Sequence, residues 1–356
     1  MSLARLVRSA MNIPISRIPM YPLRFEPIYE YRLWGGRCLE EVLCAPLPSQ
    51  GPVGEAWVLS DRDDHASRVL DGPFEGRTLG QLMDQFPVPL LGTLAGRFSR
   101  FPLLLKFLDA QQMLSVQVHP SDAHPDLLPA GETGKTEAWV VLKAEPQSRI
   151  YAGLKPGTTA DALRRALANG GITDHLSCFT PKRGDGVLLA AGTVHSLDGG
   201  VVVFEIQQNS DVTFRLYDWD HVDAKTGRPR ALHVEQALSC IDFGEGPVSP
   251  VTPLLDVTMP ARERLFHCAQ FSLWRVRTGD PFTVGAAGVP RVLVCIDGAG
   301  HVEHGGSVHA ARRGDVVLLP AVLGACVFRP AGEVTLLEIE LPESAASAGA
   351  PKGHGR

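Results

Sequence analysis

Two stretches of this sequence repeat one another. The segment GDGVLLAAGTVHSL begins at Gly184, and GDVVLLPAVLGACVF begins at Gly314. In both, Gly-Asp indicates a turn, a short apolar run predicts a buried strand, and small residues lead into a second strand. Ten residues after the aspartate, the first copy has His195 and the second has Ala325. The repeat predicts two similar β domains, of which only the first carries this histidine.

The repeated unit resembles the second conserved motif of cupins, which are small double-sheet jelly rolls whose interior often holds a metal ion. This resemblance predicts a mainly β protein with two cupin-like jelly-roll domains, the first with helical insertions. The Gly/Pro-rich stretch FGEGPVSPVTP is typical of a link between domains. We expect an N-terminal extension over 1–20, a catalytic metal-binding domain over 21–248, a metal-free domain over 249–343 and a flexible tail over 344–356.

Two segments of the first domain have helical periodicity. RTLGQLMDQF, residues 77–86, places three apolar residues on one face behind Thr78, which can cap a helix. TTADALRRALANGG, residues 158–171, starts with threonines and ends with two glycines, which are typical start and stop signals. Upstream, RLWGG and GEAWVLS predict short strands.

The strand predicted at LSVQVHP has polar side chains where an inner face should be apolar. Ser115, Gln117 and His119 lie two residues apart, so in a strand they point to one side. Val116 and Val118 point to the other side. The sequence therefore predicts a hydroxyl, an amide and an imidazole inside a sheet.

Two further residues are expected at the same interior point. Glu137 begins the next predicted strand, TEAWVVLKA, and His195 follows the Gly-Asp hairpin. Together with Gln117 and His119, they offer two imidazoles, a carboxylate and an amide oxygen, which suit a divalent ion of zinc type. Each residue alone has an ordinary structural explanation. A buried polar face needs partners, however, and one metal ion satisfies all four groups.

Composition excludes several functional classes. The formal net charge is −5 without a long charged run, so neither a nucleic-acid surface nor a polybasic membrane anchor is indicated. No apolar stretch reaches the roughly 18 residues of a spanning helix. The seven scattered cysteines form no CxxC pair, which favours reduced thiols in a cytoplasmic protein over a disulfide framework. The pattern leaves the oligomeric state open.

Six segments occur in the order, and with nearly the spacing, of one enzyme family: YRLWGG, GEAWVLSD, LLLKFLDAQQMLSVQVHP, GKTEAWVVL, AAGTVHSL and FEIQQNSDVTFRLYDWD. From about residue 22 to 245 the chain resembles the type I phosphomannose isomerases in their short bacterial form. The resemblance implies a zinc-dependent aldose-ketose isomerase. It would interconvert mannose 6-phosphate and fructose 6-phosphate through an enediolate, with one Zn²⁺ per chain and a sugar phosphate as its small-molecule partner.

The resemblance also assigns residues. It implies that the zinc ligands are Gln117, His119, Glu137 and His195. One departure is Ser196, where alanine is common in the family, and the N-terminal extension lies outside the pattern. Neither departure affects an implied ligand.

The remaining site residues are implied in the same way. Arg215, Lys135 and Glu205 match catalytic positions, with Glu205 a buried acid near the site. Lys106 and Ser115 match substrate-binding positions, and Ser115 lies on the phosphate side of the pocket.

The chemistry of such an isomerisation agrees with this residue set. Moving a proton between C1 and C2 of a sugar needs a Lewis acid, a base and cations that stabilise the enediolate and the phosphate. Lys106, Lys135 and Arg215 would supply the cations, because no Gly-rich phosphate loop is present. The sequence leaves the base open among Lys135, Glu205 and a metal-bound hydroxide.

Two other interpretations stay open at this point. Two histidines and a carboxylate in a cupin can hold Fe(II) for a dioxygenase, although such sites usually have a histidine where Gln117 stands. A non-catalytic sugar-phosphate sensor would keep the metal site, but the retention of Lys135 and Arg215 argues against it. For Arg215 the alternative is a structural salt bridge with Asp211 or Asp218.

Overall fold

The computed structural model describes residues 19–48, 51–223, 225–259 and 261–342, which are built mainly from antiparallel strands. The prediction of a mainly β fold is therefore confirmed. Apart from residues 19 and 20, the predicted N-terminal extension lies outside the described residues, and so does the predicted tail. None of the described helices has the length and apolar character needed to cross a membrane.

The strands before residue 230 are β1 (Leu23–Arg24), β2 (Ile28–Glu30), β3 (Glu55–Leu59), β4 (Leu103–Ala110), β5 (Val116–Val118), β6 (Glu137–Ala144), β7 (Ile150–Leu154), β8 (Leu176–Phe179), β9 (Gly186–Leu189), β10 (His195–Leu197), β11 (Val201–Gln208), β12 (Phe214–Tyr217), β13 (Val222–Asp223) and β14 (Arg228–Pro229). Those after residue 250 are β15 (Leu254–Leu255), β16 (Arg262–His267), β17 (Ser272–Thr278), β18 (Phe282–Val284), β19 (Arg291–Asp297), β20 (Ala299–His304), β21 (Ser307–Arg312), β22 (Val316–Leu319), β23 (Cys326–Pro330) and β24 (Val334–Glu340). The α-helices among the described residues are α1 (Leu39–Val42), α2 (Leu79–Gln85), α3 (Pro87–Leu91), α4 (Ala160–Asn169) and α5 (Val234–Cys240).

The first barrel consists of two sheets. One has the strand order β2-β3-β4-β11-β6-β9, and the other has the order β12-β5-β10-β7-β8. Side chains of the two sheets meet inside the barrel, where Glu137 of β6 approaches His195 of β10. The helices α2, α3, α4 and α5 lie in the connections of this half of the chain.

The second barrel repeats this strand order. Its large sheet runs β15-β16-β17-β24-β19-β22-β1, and its small sheet runs β18-β23-β20-β21. The strand β1 comes from the start of the chain, with Leu23 opposite Leu318 of β22. The β1–β22 pairing joins residues on either side of the predicted domain boundary between residues 248 and 249. The boundary itself stays a prediction. An apolar core cluster extends through both barrels and includes Phe204 of the first and Leu336 of the second.

The two Gly-Asp turns have the same backbone structure. Gly184 and Gly314 have φ values of 92° and 93°, a left-handed conformation that glycine adopts without the steric cost of a Cβ atom. The Asp185 carboxylate accepts a hydrogen bond of 2.8 Å from the Lys182 amide, and Asp315 accepts one of 2.9 Å from Arg312. The predicted repeat is therefore confirmed.

Both predicted helices are present. Thr78 and Gln81 form a reciprocal capping box at the start of α2. In α4, Thr159 accepts a hydrogen bond from the Ala162 amide, and Gly170 ends the helix in the left-handed conformation.

The strand predicted for RLWGG is wrong. This segment is a turn in which the Gly35 amide donates to the Arg32 carbonyl at 2.9 Å. A Cβ on Gly35 would lie 2.4 Å from the Gly54 amide nitrogen, so close backbone packing explains the glycine. The short helix α1, which follows this turn, was not predicted.

Candidate metal centre

The small sheet of the first barrel aligns three of the predicted site residues. Gln117 of β5 lies opposite His195 of β10 on one side and opposite Arg215 of β12 on the other. Residues opposite each other in antiparallel strands project to the same face, so these three side chains point into the barrel. Val116 and Val118 are completely buried on the other face, as the alternation predicted.

The large sheet supplies the facing residues. Glu205 of β11 lies opposite Lys106 of β4 and opposite Trp139 of β6. Glu137 is two residues before Trp139, so it projects to the same face. The two sheets therefore bring residues from six strands to one interior region.

His119, Glu137 and His195 form a compact group of three potential metal ligands whose ligand atoms all lie within 4.8 Å of one another. The Nε2 atom of His119 is 3.3 Å from Glu137 Oε2, and the Nε2 atom of His195 is 3.3 Å from Glu137 Oε1. All three residues are almost completely buried. The structure thus brings together three of the four predicted ligands.

Backbone carbonyl groups fix both imidazoles. His119 Nδ1 donates to the Val212 carbonyl at 2.8 Å, and His195 Nδ1 donates to the Thr193 carbonyl at 2.9 Å. With the proton on Nδ1, each Nε2 atom keeps a lone pair that can accept a hydrogen bond or bind a metal ion. Burial lowers the pKa of His195, and burial together with Lys135 lowers the pKa of His119 to about 3, so both rings are neutral.

The Glu137 carboxylate is buried without a hydrogen bond to either oxygen. Its charge is balanced by the Lys135 ammonium, whose Nζ lies 2.7 Å from Oε2 and 3.2 Å from His119 Nε2. Burial opposes ionisation of Glu137, but the Lys135 ammonium outweighs it, and the pKa of Glu137 lies well below its usual range. Glu137 also outweighs the burial of Lys135 and raises the pKa of that ammonium.

This donor set fits a divalent ion of zinc type. Around a tetrahedral ion with bonds of about 2.1 Å, ligand atoms lie roughly 3.4 Å apart, close to the 3.3 Å separations between the imidazoles and Glu137. Two imidazole nitrogens and a buried carboxylate are also the ligand types that zinc prefers. The residues therefore fit the implied metal.

Gln117 lies beside this group. Its Nε2 atom is 3.2 Å from His195 Nε2, and Ser115 Oγ donates to its Oε1 at 3.1 Å. A rotation of the amide by 180° exchanges oxygen and nitrogen without changing its shape, so the same side chain can direct its oxygen at the imidazoles. Gln117 stays a predicted fourth ligand.

A cavity of about 300 Å³ opens beside the candidate metal ligands, of which Gln117 lines it. Lys106, Ser115, Lys135, Glu205 and Arg215, all predicted from the sequence, line it.

Arg215 differs from the other cations of the cavity. Asp218 is paired with Arg230 through a hydrogen bond of 2.9 Å, and no carboxylate of the described residues forms an ion pair with Arg215. The Nε atom of Arg215 is buried without a hydrogen bond. Burial and the neighbouring Arg230 lower the pKa of Arg215. The structural salt bridge considered for Arg215 is therefore absent from the described residues.

Lys106, by contrast, is surrounded by carboxylates. Its Nζ atom lies 3.9 Å from Glu55, 3.7 Å from Glu205 and 3.8 Å from Asp211. It also lies 4.5 Å from the centre of the Trp57 ring, a cation–π distance. These contacts compensate for burying the charge in an apolar strand.

Glu205 has a different environment from Glu137. Its carboxylate accepts a hydrogen bond of 2.9 Å from Trp139 Nε1. Burial and the charge of Glu137 raise the pKa of Glu205 to about 7. Two buried carboxylates in one site, Glu137 and Glu205, therefore have very different pKa values.

Sequence reasoning missed several residues that line the same cavity: Tyr31, Arg32, Trp34, Glu55, Asp211 and Arg230. Glu55 receives hydrogen bonds from Arg32 and Trp57, and Lys106 and Arg32 outweigh its burial to lower its pKa to about 2. An acid at the start of the buried strand GEAWVLS was the signal that could have identified Glu55.

Comparisons with known proteins place this site in a family context. The family model described as phosphomannose isomerase type I, catalytic domain, matches residues 23–138. Mannose-6-phosphate isomerase ManA of Bacillus subtilis is 34% identical over 303 residues, which cover 85% of this chain and 94% of that protein.

Solved structures agree with this sequence match. The crystal structure of the mannose 6-phosphate isomerase from Bacillus subtilis matches with a TM-score of 0.82 and 26% identity, over 90% of this chain and 100% of that one. A more distant structure, a mannose 6-phosphate isomerase bound with zinc and yttrium, has a TM-score of 0.70 and 15% identity. It covers 91% of this chain and 100% of its own and shares the fold.

Proposed function

The chain belongs to the type I phosphomannose isomerases, and on this premise we propose that it interconverts mannose 6-phosphate and fructose 6-phosphate in the first barrel. The observation that carries the proposal is the buried group of His119, Glu137 and His195 beside a cavity lined by cations. A dioxygenase needs no such cations, and a hexose phosphate fits a cavity of about 300 Å³.

The proposed metal ion is zinc, held by Gln117, His119, Glu137 and His195. The ligand set of two neutral imidazoles, one carboxylate and one uncharged amide supports this choice, because it leaves the ion strongly electrophilic. When bound, such an ion supplies Lewis acidity that polarises a sugar oxygen. The zinc bound in the more distant mannose 6-phosphate isomerase structure also supports this choice.

Arg215 is the proposed anion-binding cation. A half-buried guanidinium without an ion pair is costly, and an enediolate or phosphate oxygen would remove that cost. Lys106 already has three carboxylates within 4.0 Å, so it is less available to a second anion. Its proposed part is to support substrate binding from the large sheet, with Ser115 on the opposite sheet.

Glu205 is the best supported proton carrier among the three candidates from the sequence. Because its pKa is about 7, it can accept and return a proton near neutral pH. Lys135 is held in its charged form by Glu137, so it has no free lone pair with which to act as a base. Its proposed part is to orient Glu137 and to stabilise negative charge that develops on the substrate.

A coupled assay tests this proposal. The purified protein should convert mannose 6-phosphate to fructose 6-phosphate, lose this activity on treatment with a chelator and regain it on addition of Zn²⁺. A protein that binds mannose 6-phosphate without turning it over, in the presence of Zn²⁺, would support the sugar-phosphate sensor instead.

Two further expectations stay predictions. All seven cysteines are free thiols, which supports the expected cytoplasmic location. The proposed partner is a small sugar phosphate.

A further inference from the structure

Two cavities lie next to each other between the barrels. One of about 370 Å³ and one of about 200 Å³ share the lining residues Leu142, Arg183 and Ile296. Leu142 belongs to β6 of the first barrel and Ile296 to β19 of the second. We call this pair of cavities the seam. It is separate from the cavity beside the metal ligands, with which it shares no lining residue.

The seam is strongly positive in a chain that is negative as a whole. Its cationic lining residues are Lys143, Arg183, Arg275, Arg277 and Arg313. Its acidic lining residues are Glu41 and Asp297. The formal net charge of the whole chain is −5, so the concentration of cations here is local.

Two of these arginines occupy equivalent positions of the internal repeat. Arg183 directly precedes Gly184-Asp185, and Arg313 directly precedes Gly314-Asp315. Arg183 reaches Asp297 of the second barrel at 2.8 Å. Arg313 donates to the Glu41 carbonyl at 2.8 Å, and it has no carboxylate partner among the described residues. The turns thus direct one arginine each into the seam, and neither takes part in the proposed isomerase site.

The second barrel adds two more guanidinium groups that converge at Gly184. A Cβ built on Gly184 would lie 3.3 Å from Arg277 Nη2 and 3.5 Å from Arg275 Nη1. Both arginines depend on the same carboxylate, since Glu263 lies 2.6 Å from Arg275 and 3.8 Å from Arg277. Burial and the charge of Arg275 lower the pKa of Arg277.

The arginines of the seam differ in how far they are exposed to solvent. Arg275 is 4% exposed and donates to the Gly184 carbonyl at 2.5 Å, so it joins the two barrels structurally. The side chains of Arg183 and Arg277 are 67% and 53% exposed, so they can reorganise around a ligand that enters from solvent.

We propose that the seam binds a multiply charged oxyanion of the phosphate class. Several guanidinium groups that share few carboxylates form a typical site for phosphate oxygens, because each planar group can donate two parallel hydrogen bonds. An anion bound here would contact both barrels at once and would stabilise their association.

Phosphate titration of the full-length, metal-loaded protein at constant ionic strength tests this proposal. The variants are the pair Arg183→Met with Arg277→Met, and Arg165→Met as a matched control on the exposed surface of α4. Calorimetry should show a phosphate-binding event in the wild type and in the control. In the double variant this event should weaken at least tenfold, as expected for the loss of charge-assisted hydrogen bonds.

The KM of the double variant for mannose 6-phosphate shows whether phosphate binding was lost at the seam or at the proposed isomerase site. An unchanged KM in the double variant assigns the lost event to the seam and leaves the proposed isomerase site intact. Identical phosphate isotherms for the wild type and the double variant would overturn the proposal, and so would an equal loss in Arg165→Met. These isotherms can be measured even if the protein proves to have no isomerase activity, so the two proposals fail separately.

Discussion

The two barrels have the same strand order and the same Gly-Asp turn, yet their interiors differ at the positions of the candidate metal ligands. Ala325 replaces His195 ten residues after the turn aspartate. Glu137 lies opposite Leu189, and Arg291 lies opposite Leu319 at the equivalent point of the second barrel. The second barrel therefore has an arginine where the first has the carboxylate of a candidate ligand.

The second barrel pairs its equivalent charged residues with one another. Arg291 pairs with Glu340 at 2.6 Å. Glu338, which is the equivalent of Glu205 by its pairing with β19, accepts hydrogen bonds of 3.0 Å from Arg262 and 2.9 Å from the Gly285 amide. In the first barrel Glu137 and Arg215 have buried atoms without hydrogen bonds. Arg262 Nε of the second barrel also lacks a hydrogen bond, but its guanidinium pairs with Glu338. Among the described residues, the absence of an ion pair at Arg215, rather than the shared fold, therefore distinguishes the candidate site.

The largest effect that would test this difference is expected from His119→Ala. Loss of a buried metal ligand should lower metal content and reduce turnover of mannose 6-phosphate by about a thousandfold or more. The fold should persist, because the core clusters are large. His301→Ala in the second barrel is the control, and coupled assays of both variants should show near wild-type activity for the control alone. Full turnover in His119→Ala would contradict the assignment of this ligand.

The second-largest effect is expected from substituting Arg215 of the first barrel, with Arg291 of the second barrel as its matched counterpart. Arg215→Met should lower kcat/KM by about ten- to a few hundred-fold, because charge-assisted hydrogen bonds contribute roughly 1.5 to 3 kcal/mol each. Its Tm should be unchanged or higher, since a half-buried guanidinium without an ion pair is removed. Arg291→Met should instead lower the Tm, because it breaks the ion pair with Glu340, and should leave kcat/KM near the wild-type value. Steady-state kinetics and thermal melting of both variants distinguish these outcomes.

In this pair, a fall in kcat alone places Arg215 at the developing enediolate, and a rise in KM alone places it on the phosphate. A lowered Tm with unchanged kinetics in Arg215→Met would mean that Arg215 is structural, and the contrast between the barrels would then fail at this position.

The smallest expected effect concerns the pH dependence of stability at Glu338. Burial raises the pKa of Glu338 above 4.5, so the folded protein holds this proton more tightly than the unfolded chain. The stabilisation is fully present below pH 4.5 and is lost as the pH rises through the folded pKa. Glu338→Gln lacks this dependence. The Tm difference, wild type minus variant, should therefore decrease as the pH is raised from 4, and a constant difference would contradict the shift.

Strand alternation and the repeat predicted three of the four candidate ligands. Gln117 and His119 follow from local periodicity, and His195 follows from its spacing after Gly-Asp. The resemblance of the motifs added the other site residues. These signals are local along the chain, so they can be detected without knowing which strands pair with each other.

Other features depend on contacts between distant segments. Lys106 meets carboxylates from Glu55, Glu205 and Asp211, which come from three separate parts of the chain. The equivalence of Arg291 with Glu137 becomes visible only when strands are aligned by their partners. The turn at RLWGG was mistaken for a strand because the close packing of its glycines involves a remote backbone segment.

The most direct test of the central claim is the zinc content of the purified full-length protein, measured by mass spectrometry for the wild type, His195→Ala and Ala325→His. We predict one ion per chain for the wild type. His195→Ala should lose most of it, and Ala325→His should still bind one, because Arg291 opposes a cation in the second barrel. Full zinc content in His195→Ala, or a second ion in Ala325→His, would contradict the assignment of metal binding to the first barrel alone.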